Sequence, residues 1–248
     1  MTVVAISMVR DEADIIEATV GHMIGQVDHV IVADNRSVDG TRGILESLDI
    51  TVVDDPEVGY FQSDKMTALA HRARLEFGAT WVVPFDADEW WVHPEGRIAD
   101  VLESVTAWPV VEAELFDHVA TGVDPDGPPV ERMQWRRRTP SGLPKVACRT
   151  GEDLVIHQGN HGASYEAPHL STSGLVVHHF PYRSAEQFSR KAANGAEAYA
   201  ATDLSCDIGK HWRDYGALSD EQRRDVFRRW FWVPEPDDSF VHDPVITP

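Results

Sequence analysis

Residues Trp81-Val-Val-Pro-Phe-Asp-Ala-Asp-Glu-Trp-Trp91 form an apolar run that ends in three carboxylates, Asp86, Asp88 and Glu89. An apolar run of this length predicts a strand buried on both faces of a sheet. Folding alone gives no reason for its ending. In an extended segment side chains alternate, so Asp86 and Asp88 are expected on one face, with the small Ala87 between them. Two carboxylates that close raise each other's pKa unless a cation lies between them. Hard divalent ions take such oxygen ligands, and a diphosphate would complete the shell. The plain alternative is a solvated strand end, and the surrounding chain decides between the two.

Upstream, one pattern recurs. Residues 3–8 are apolar and lead into Arg10-Asp11-Glu12, after which Ile15, Ile16, Val20, Met23 and Ile24 follow at helical spacing. Val30-Ile31-Val32 leads into Asp34-Asn35-Arg36-Ser37 and a short helix through Ile44 and Leu45. A third strand at residues 50–53 precedes a helix that carries Met66, Leu69, Ala70 and Ala73 on one face. Apolar strands alternating with amphipathic helices predict an α/β fold, with a mostly parallel sheet covered on both sides. Ligands of such sheets bind beyond the carboxyl ends of the strands, where each of these polar clusters falls.

After about residue 105 the pattern changes to short strand-like pieces separated by Pro and Gly, as in residues 123–129 and 139–144. These predict antiparallel strands and loops. Two helices are expected to close the chain, over residues 184–201 with Ser184 as N-cap and over residues 219–232. The Pro- and Asp-rich tail from residue 234 reads as loosely attached. The expected organisation is therefore an α/β half at 1–105, acceptor-side strands and loops of the same domain at 106–183, and C-terminal helices and tail at 184–248.

The chain has 248 residues and a formal net charge of -19. That field opposes nucleic acid and anionic lipid, so an anionic substrate has to be met by a metal or by local Arg and Lys. No segment is long and apolar enough to span a bilayer and no cleavable leader is evident, so the cytoplasm is the expected compartment. The two cysteines, Cys148 and Cys206, fit neither a disulfide scaffold nor a zinc pattern and read as reduced. Eight tryptophans offer flat surfaces for sugar rings, with Trp90, Trp91, Trp108 and Trp135 as candidates. The stripe Phe227, Trp230 and Phe231 is a candidate homodimer seam.

With these strands in place, three separated segments resemble the family 2-like glycosyltransferases of GT-A fold, in the branch with an Asp-x-Asp-Glu motif. They are Met8-Val-Arg-Asp-Glu-Ala-Asp-Ile-Ile16, Val32-Ala-Asp-Asn-Arg-Ser-Val-Asp-Gly-Thr41 and Pro84-Phe-Asp-Ala-Asp-Glu-Trp90. The later His179-Phe-Pro-Tyr-Arg-Ser184, with Lys191 and Asn194, is similar to a segment of the same branch. The resemblance implies a nucleotide-sugar-binding fold and a hexosyltransferase-type enzyme. Arg10, Asp11, Glu12, Asp34 and Asn35 match positions around the base and ribose, although the family usually has two acids where this chain has Asp34 then Asn35. Asp86 and Asp88 match the motif that touches ribose and metal, and His179 matches a histidine that many members add as a metal ligand.

The implied reaction moves a sugar from a nucleoside diphosphate donor, UDP by family habit, to an acceptor hydroxyl on a glycan, lipid-linked sugar or small molecule, with inversion. A divalent ion, Mn2+ or Mg2+, suits this ligand set. Arg10, Lys65, Arg183 and Lys191 are candidates for charge-assisted bonds to the diphosphate. The general base is open between Asp153, in an acidic pair with Glu152, and His161, in a glycine-flanked loop. Competing readings are a nucleotide-sugar or carbohydrate-binding module without activity and a haloacid dehalogenase-type phosphatase. The latter motif would begin its domain rather than follow three strand-helix units.

Overall fold

Apolar residues on both of its faces place Val3–Val9 in the middle of a sheet, where it forms strand β1. This is a computed structural model, and it describes residues 1–164 and 173–245. Helix α1 (Ile16–Gln26), β2 (His29–Asp34), α2 (Thr41–Ser47), β3 (Thr51–Asp54), α3 (Gln62–Phe77) and β4 (Trp81–Pro84) follow in the expected alternation. Then come β5 (Glu89–Val92), α4 (Ile98–Ser104), the long β6 (Val110–Thr121), α5 (Pro129–Arg132), β7 (Trp135–Arg137) and β8 (Lys145–Arg149). The small hairpin β9 (Val155–Ile156) and β10 (Ala163–Ser164) precedes β11 (Val176–His179). The chain closes with α6 (Ala185–Ala200), α7 (Lys210–Gly216), α8 (Asp220–Trp230), β12 (Trp232–Val233) and β13 (Phe240–His242).

Strands β3, β2, β1 and β4 are parallel neighbours in that order. Beyond β4 the sheet turns antiparallel through β8, β6, β7 and β13. Strand β11 lies antiparallel to β5 and parallel to β6, which brings the acidic end of the fourth strand against the second half of the chain. Alternation along β1 explains the two-sided burial. Val3 and Ala5 join Ile16, Val20 and Met23 of α1 in one core, while Val4 and Ile6 join Met66, Leu69, Ala70 and Ala73 of α3 in the other.

The predicted N-cap is present, with Ser184 accepting from the Gln187 amide, and Ser219 forms a reciprocal capping box with Gln222 at the start of the last helix. Three expectations are corrected. The tail is not loose, because β13 pairs with β7 and the Asp243 amide donates to Gln134 O at 2.8 Å. The aromatic stripe is not a free seam, since Phe227 and Phe231 pack on Phe188 within the chain and only Trp230 is left exposed. Trp90 and Trp91 are core residues, with the ring of His22 stacked on Trp90 at 3.9 Å. Among the described residues no helix is long and apolar enough to cross a membrane.

Candidate active site

The carboxyl ends of β1, β2 and β4 open into a cleft of about 500 Å3 that is closed on the far side by α6, α7 and the loop at Gln158–His161. The strand predicted to end at Asp86 stops at Pro84. Residues 86–89 form a turn instead, with the Glu89 amide donating to Asp86 O at 3.0 Å and the Glu89 carboxylate accepting from the Asp86 amide at 3.1 Å. Asp86 and Asp88 therefore do not share a strand face, and each carboxylate meets its own lysine.

Asp86 accepts from Lys145 Nζ at 2.7 Å, from Asn160 Nδ2 at 3.0 Å and from Gln62 Nε2 at 3.2 Å. Lys145 also reaches Glu89 at 2.7 Å and donates to Gly159 O at 2.8 Å, so its ammonium is fully partnered although buried. Burial opposes its charge, but Asp86 and Glu89 outweigh burial and hold it above the ordinary lysine range. For Glu89 burial wins over the pull of Lys145, and its carboxyl is pushed up to about 7. Glu89 is then the acid of this cluster that changes its charge near neutral pH.

Asp88 is buried and accepts from Lys191, with Arg183 Nη1 at 3.8 Å. Burial would raise its pKa, yet Lys191, His179 and Arg183 together hold it well below the usual carboxylate range. Its other oxygen faces His179 Nε2 at 3.7 Å, too far for a hydrogen bond. His179 Nδ1 donates to Asp117 at 2.7 Å. Burial opposes the charge of His179, but Asp88 and Asp117 outweigh it and raise the pKa of the ring; when the ring loses a proton it keeps Nδ1–H on Asp117, which leaves the lone pair on Nε2, towards Asp88. Roughly 3–4 Å is the separation of two ligands of one divalent ion with bonds of about 2.1 Å, so this donor pair fits such an ion. Among the described residues no three His, Cys, Asp or Glu side chains form a complete cage. A Mg2+-type ion takes one or two protein ligands and completes its shell with substrate phosphates and water.

The other predicted residues divide into those at the cleft and those behind it. Glu12 lines the cleft and joins buried Arg183, which also makes two 2.8 Å bonds to Asp14, and Lys191 at 3.4 Å. Arg10 lines it and spends Nη2 on Glu197 at 2.6 Å, while its buried Nε and Nη1 have no hydrogen-bond partner among the described residues. Asn35 also lines the cleft, with its amide nitrogen held by Asp55 Oδ2 at 2.9 Å and Glu57 O at 2.6 Å. Asp11, Asp34 and Lys65 stand behind this surface. Asp11 ties the Val38 amide (2.7 Å) to Asn194 (2.7 Å), Asp34 accepts from the Ser37 amide, and Lys65 anchors the loop under Asn35 through Asp55 at 2.7 Å.

Of the two candidate bases, only His161 lies at the cleft. Its Nδ1 donates to Pro144 O at 2.8 Å, which leaves Nε2 as the basic nitrogen, and burial followed by the nearby Lys145 charge lowers its pKa. Gly159, at φ +78°, is required here, because a Cβ would stand 2.5 Å from the His161 ring. Asp153 is exposed and does not line the cleft, and its neighbour Glu152 pairs with Arg74 near the far end of α3. His178 faces the other way from His179, as alternation requires. His118 donates Nδ1–H to Met133 O at 2.7 Å and accepts from His178 at 2.9 Å, a neutral pair that burial holds at about 3 and about 4.

Sequence reasoning missed Lys145, Asn160, Gln62 and Asp117, and among aromatics Tyr60, Tyr199 and Trp212 line the cleft rather than the named tryptophans. The single local signal was a lysine opening the apolar run Lys145–Arg149, which has to find counter-charges if buried.

Among curated proteins nothing matches. Of solved structures, TarS 1-349 of S. aureus in complex with UDP is 14% identical, with 92% of this chain and 72% of that chain covered and a TM-score of 0.44. Glucosyl-3-phosphoglycerate synthase from Mycobacterium tuberculosis is 16% identical, with 46% and 43% covered and a TM-score of 0.35. Mannosyl-3-phosphoglycerate synthase from Rubrobacter xylanophilus is 24% identical, with 46% and 40% covered and a TM-score of 0.36. These likenesses are too distant to carry an activity to this chain. The model of glycosyl transferase family 2 matches residues 4–157, which include β1 to β4 and the acidic turn. The chain therefore belongs to glycosyl transferase family 2, as a glycosyltransferase with the GT-A type of mixed α/β sheet.

Proposed function

We propose that this chain transfers a sugar from a nucleoside diphosphate donor, UDP being the first choice, to an acceptor hydroxyl with inversion and with the help of a divalent ion. The observation that carries this reading is the pair Asp88 and His179, 3.7 Å apart at the floor of the cleft, with Asp117 bound to the far nitrogen of the imidazole. Asp88 and His179 would hold Mn2+ or Mg2+, which supplies Lewis-acid stabilisation of the departing diphosphate.

The chain's own groups supply the rest. Lys191, part exposed on α6 and paired with Asp88, gives an ammonium for a phosphate oxygen, while Arg183 is locked by Glu12 and Asp14 and fixes the charge behind it. Arg10 offers the donor its guanidinium nitrogens that have no hydrogen-bond partner among the described residues, and Asn35 offers its carbonyl oxygen to the N–H edge of a base. His161, neutral and basic at Nε2, takes the proton from the acceptor hydroxyl, the step that a single displacement demands. Asp86 and Glu89 hold the turn through Lys145.

Thermal-shift measurement with UDP, with and without Mn2+, tests the reading. At a hundredfold excess over Kd a ligand adds about 2.7 kcal/mol, which for a domain of this size is roughly 5–11 °C. The shift is expected only with both ligands and is expected to vanish in Asp88→Asn. A shift that ignores Mn2+, or that survives Asp88→Asn, overturns the assignment.

A further inference from the structure

The row of side chains that holds the candidate ion site does not stop at the cleft. The strand registers pair Glu89 with His179, His179 with Asp117, and Arg137 with Phe240. His118 of β6 pairs with Arg136 of β7, so one step along the same antiparallel register sets Asp117 across from Arg137. Cross-strand partners share a face, and therefore Glu89, His179, Asp117, Arg137 and Phe240 form one transverse row over five strands. Its inner end is buried and its outer cation is exposed.

Arg137 belongs to the basic run Arg136-Arg137-Arg138, and it alone of the three is left without a protein acceptor among the described residues. Arg136 is bound to Asp243 at 2.5 Å, and Arg138 donates to Asp238 O at 2.8 Å and Phe240 O at 3.2 Å. The guanidinium of Arg137 lies over the Phe240 ring, 5.8 Å from its centroid, which restrains it on the surface of β13. Asp117 is near enough for its charge to feel Arg137 but spends its own bond on His179. In a chain of net charge -19 an unpaired arginine two strands from His179 in the same row answers the need for a local cation where an anion must approach. A guanidinium fork suits the paired oxygens of a phosphate or carboxylate.

We propose that Arg137 binds an oxyanion, a phosphate or carboxylate, carried by the acceptor, so that the acceptor hydroxyl is presented at the His179 end of the cleft. This names the acceptor class for the transferase reading and rests on that reading.

Isothermal titration of the full chain, in the presence of UDP and Mn2+ so that the donor side is filled, tests it with methyl phosphate and, separately, with acetate. Saturable binding of at least one probe is expected, weakened about tenfold in Arg137→Gln, less in Arg137→Lys, and unchanged in Arg138→Gln. Preference for methyl phosphate assigns a phosphate-bearing acceptor, and preference for acetate a carboxylate. No binding by the wild type, or equal losses in Arg137→Gln and Arg138→Gln, overturns the proposal. Arg137-dependent anion binding by a chain that fails to bind UDP would sink the donor reading and leave the anion site standing.

Discussion

Replacing Lys145 with Met should destabilise the protein in a way that grows with pH. The lysine stands between Asp86 and Glu89, each at 2.7 Å, in a buried position. Removing one partner of a buried ionic cluster costs about 3–5 kcal/mol. The pH dependence follows from Glu89, whose folded carboxyl sits at about 7 because burial outweighs the lysine. A free glutamate titrates near ~4.3. Between those values the folded state keeps a proton that the unfolded state releases, so the contribution of Glu89 to stability falls as pH rises. In the wild type that fall has already halved its slope at pH 7, where the folded carboxyl is half ionised, and it dies away towards pH 8. Without Lys145 the folded carboxyl titrates higher still, and the fall continues at about 1.4 kcal/mol per pH unit. The wild type still loses a few tenths of a kcal/mol over the same interval, so the wild-type-minus-variant difference should widen by about 1 kcal/mol between pH 7 and 8. Urea unfolding followed by circular dichroism at pH 6, 7 and 8 reads it directly. Adding Glu89→Gln should recover much of the loss and remove the extra slope, since a carboxamide carries no charge to strand. A loss under about 1 kcal/mol, or one equal at pH 6 and 8, would refute the reasoning.

His161→Gln should lower kcat by about a hundredfold or more while leaving UDP affinity within about twofold, since a base acts after donor binding; a matched loss of donor affinity would reassign His161 to holding the loop. Phe240→Ala should cost about 3 kcal/mol in chemical denaturation, because the ring is buried where β13 closes the sheet edge. A cost below about 0.5 kcal/mol would mean that the C-terminal segment is dispensable to the fold.

Local periodicity set the first half of this molecule. The apolar runs at β1, β2 and β4 and the helical spacing through Met66, Leu69, Ala70 and Ala73 each bury what the sequence said they would, because side-chain direction along a strand or helix depends only on position within the element. The Ser184 cap was legible for the same reason, since a cap bonds an amide three residues away. The cleft's location followed from the rule that strand ends carry the ligand, and the match of His179 from its neighbours. Tertiary structure alone decided which charges meet. Lys145 lies 59 positions from Asp86 and Lys191 lies 103 from Asp88, and nothing periodic links such positions. A local turn splits Asp86 from Asp88, whereas the row from Glu89 to Phe240 depends on strand registers. A register is fixed by the packing of the whole sheet, and one step of slip exchanges the faces of every side chain on the strand.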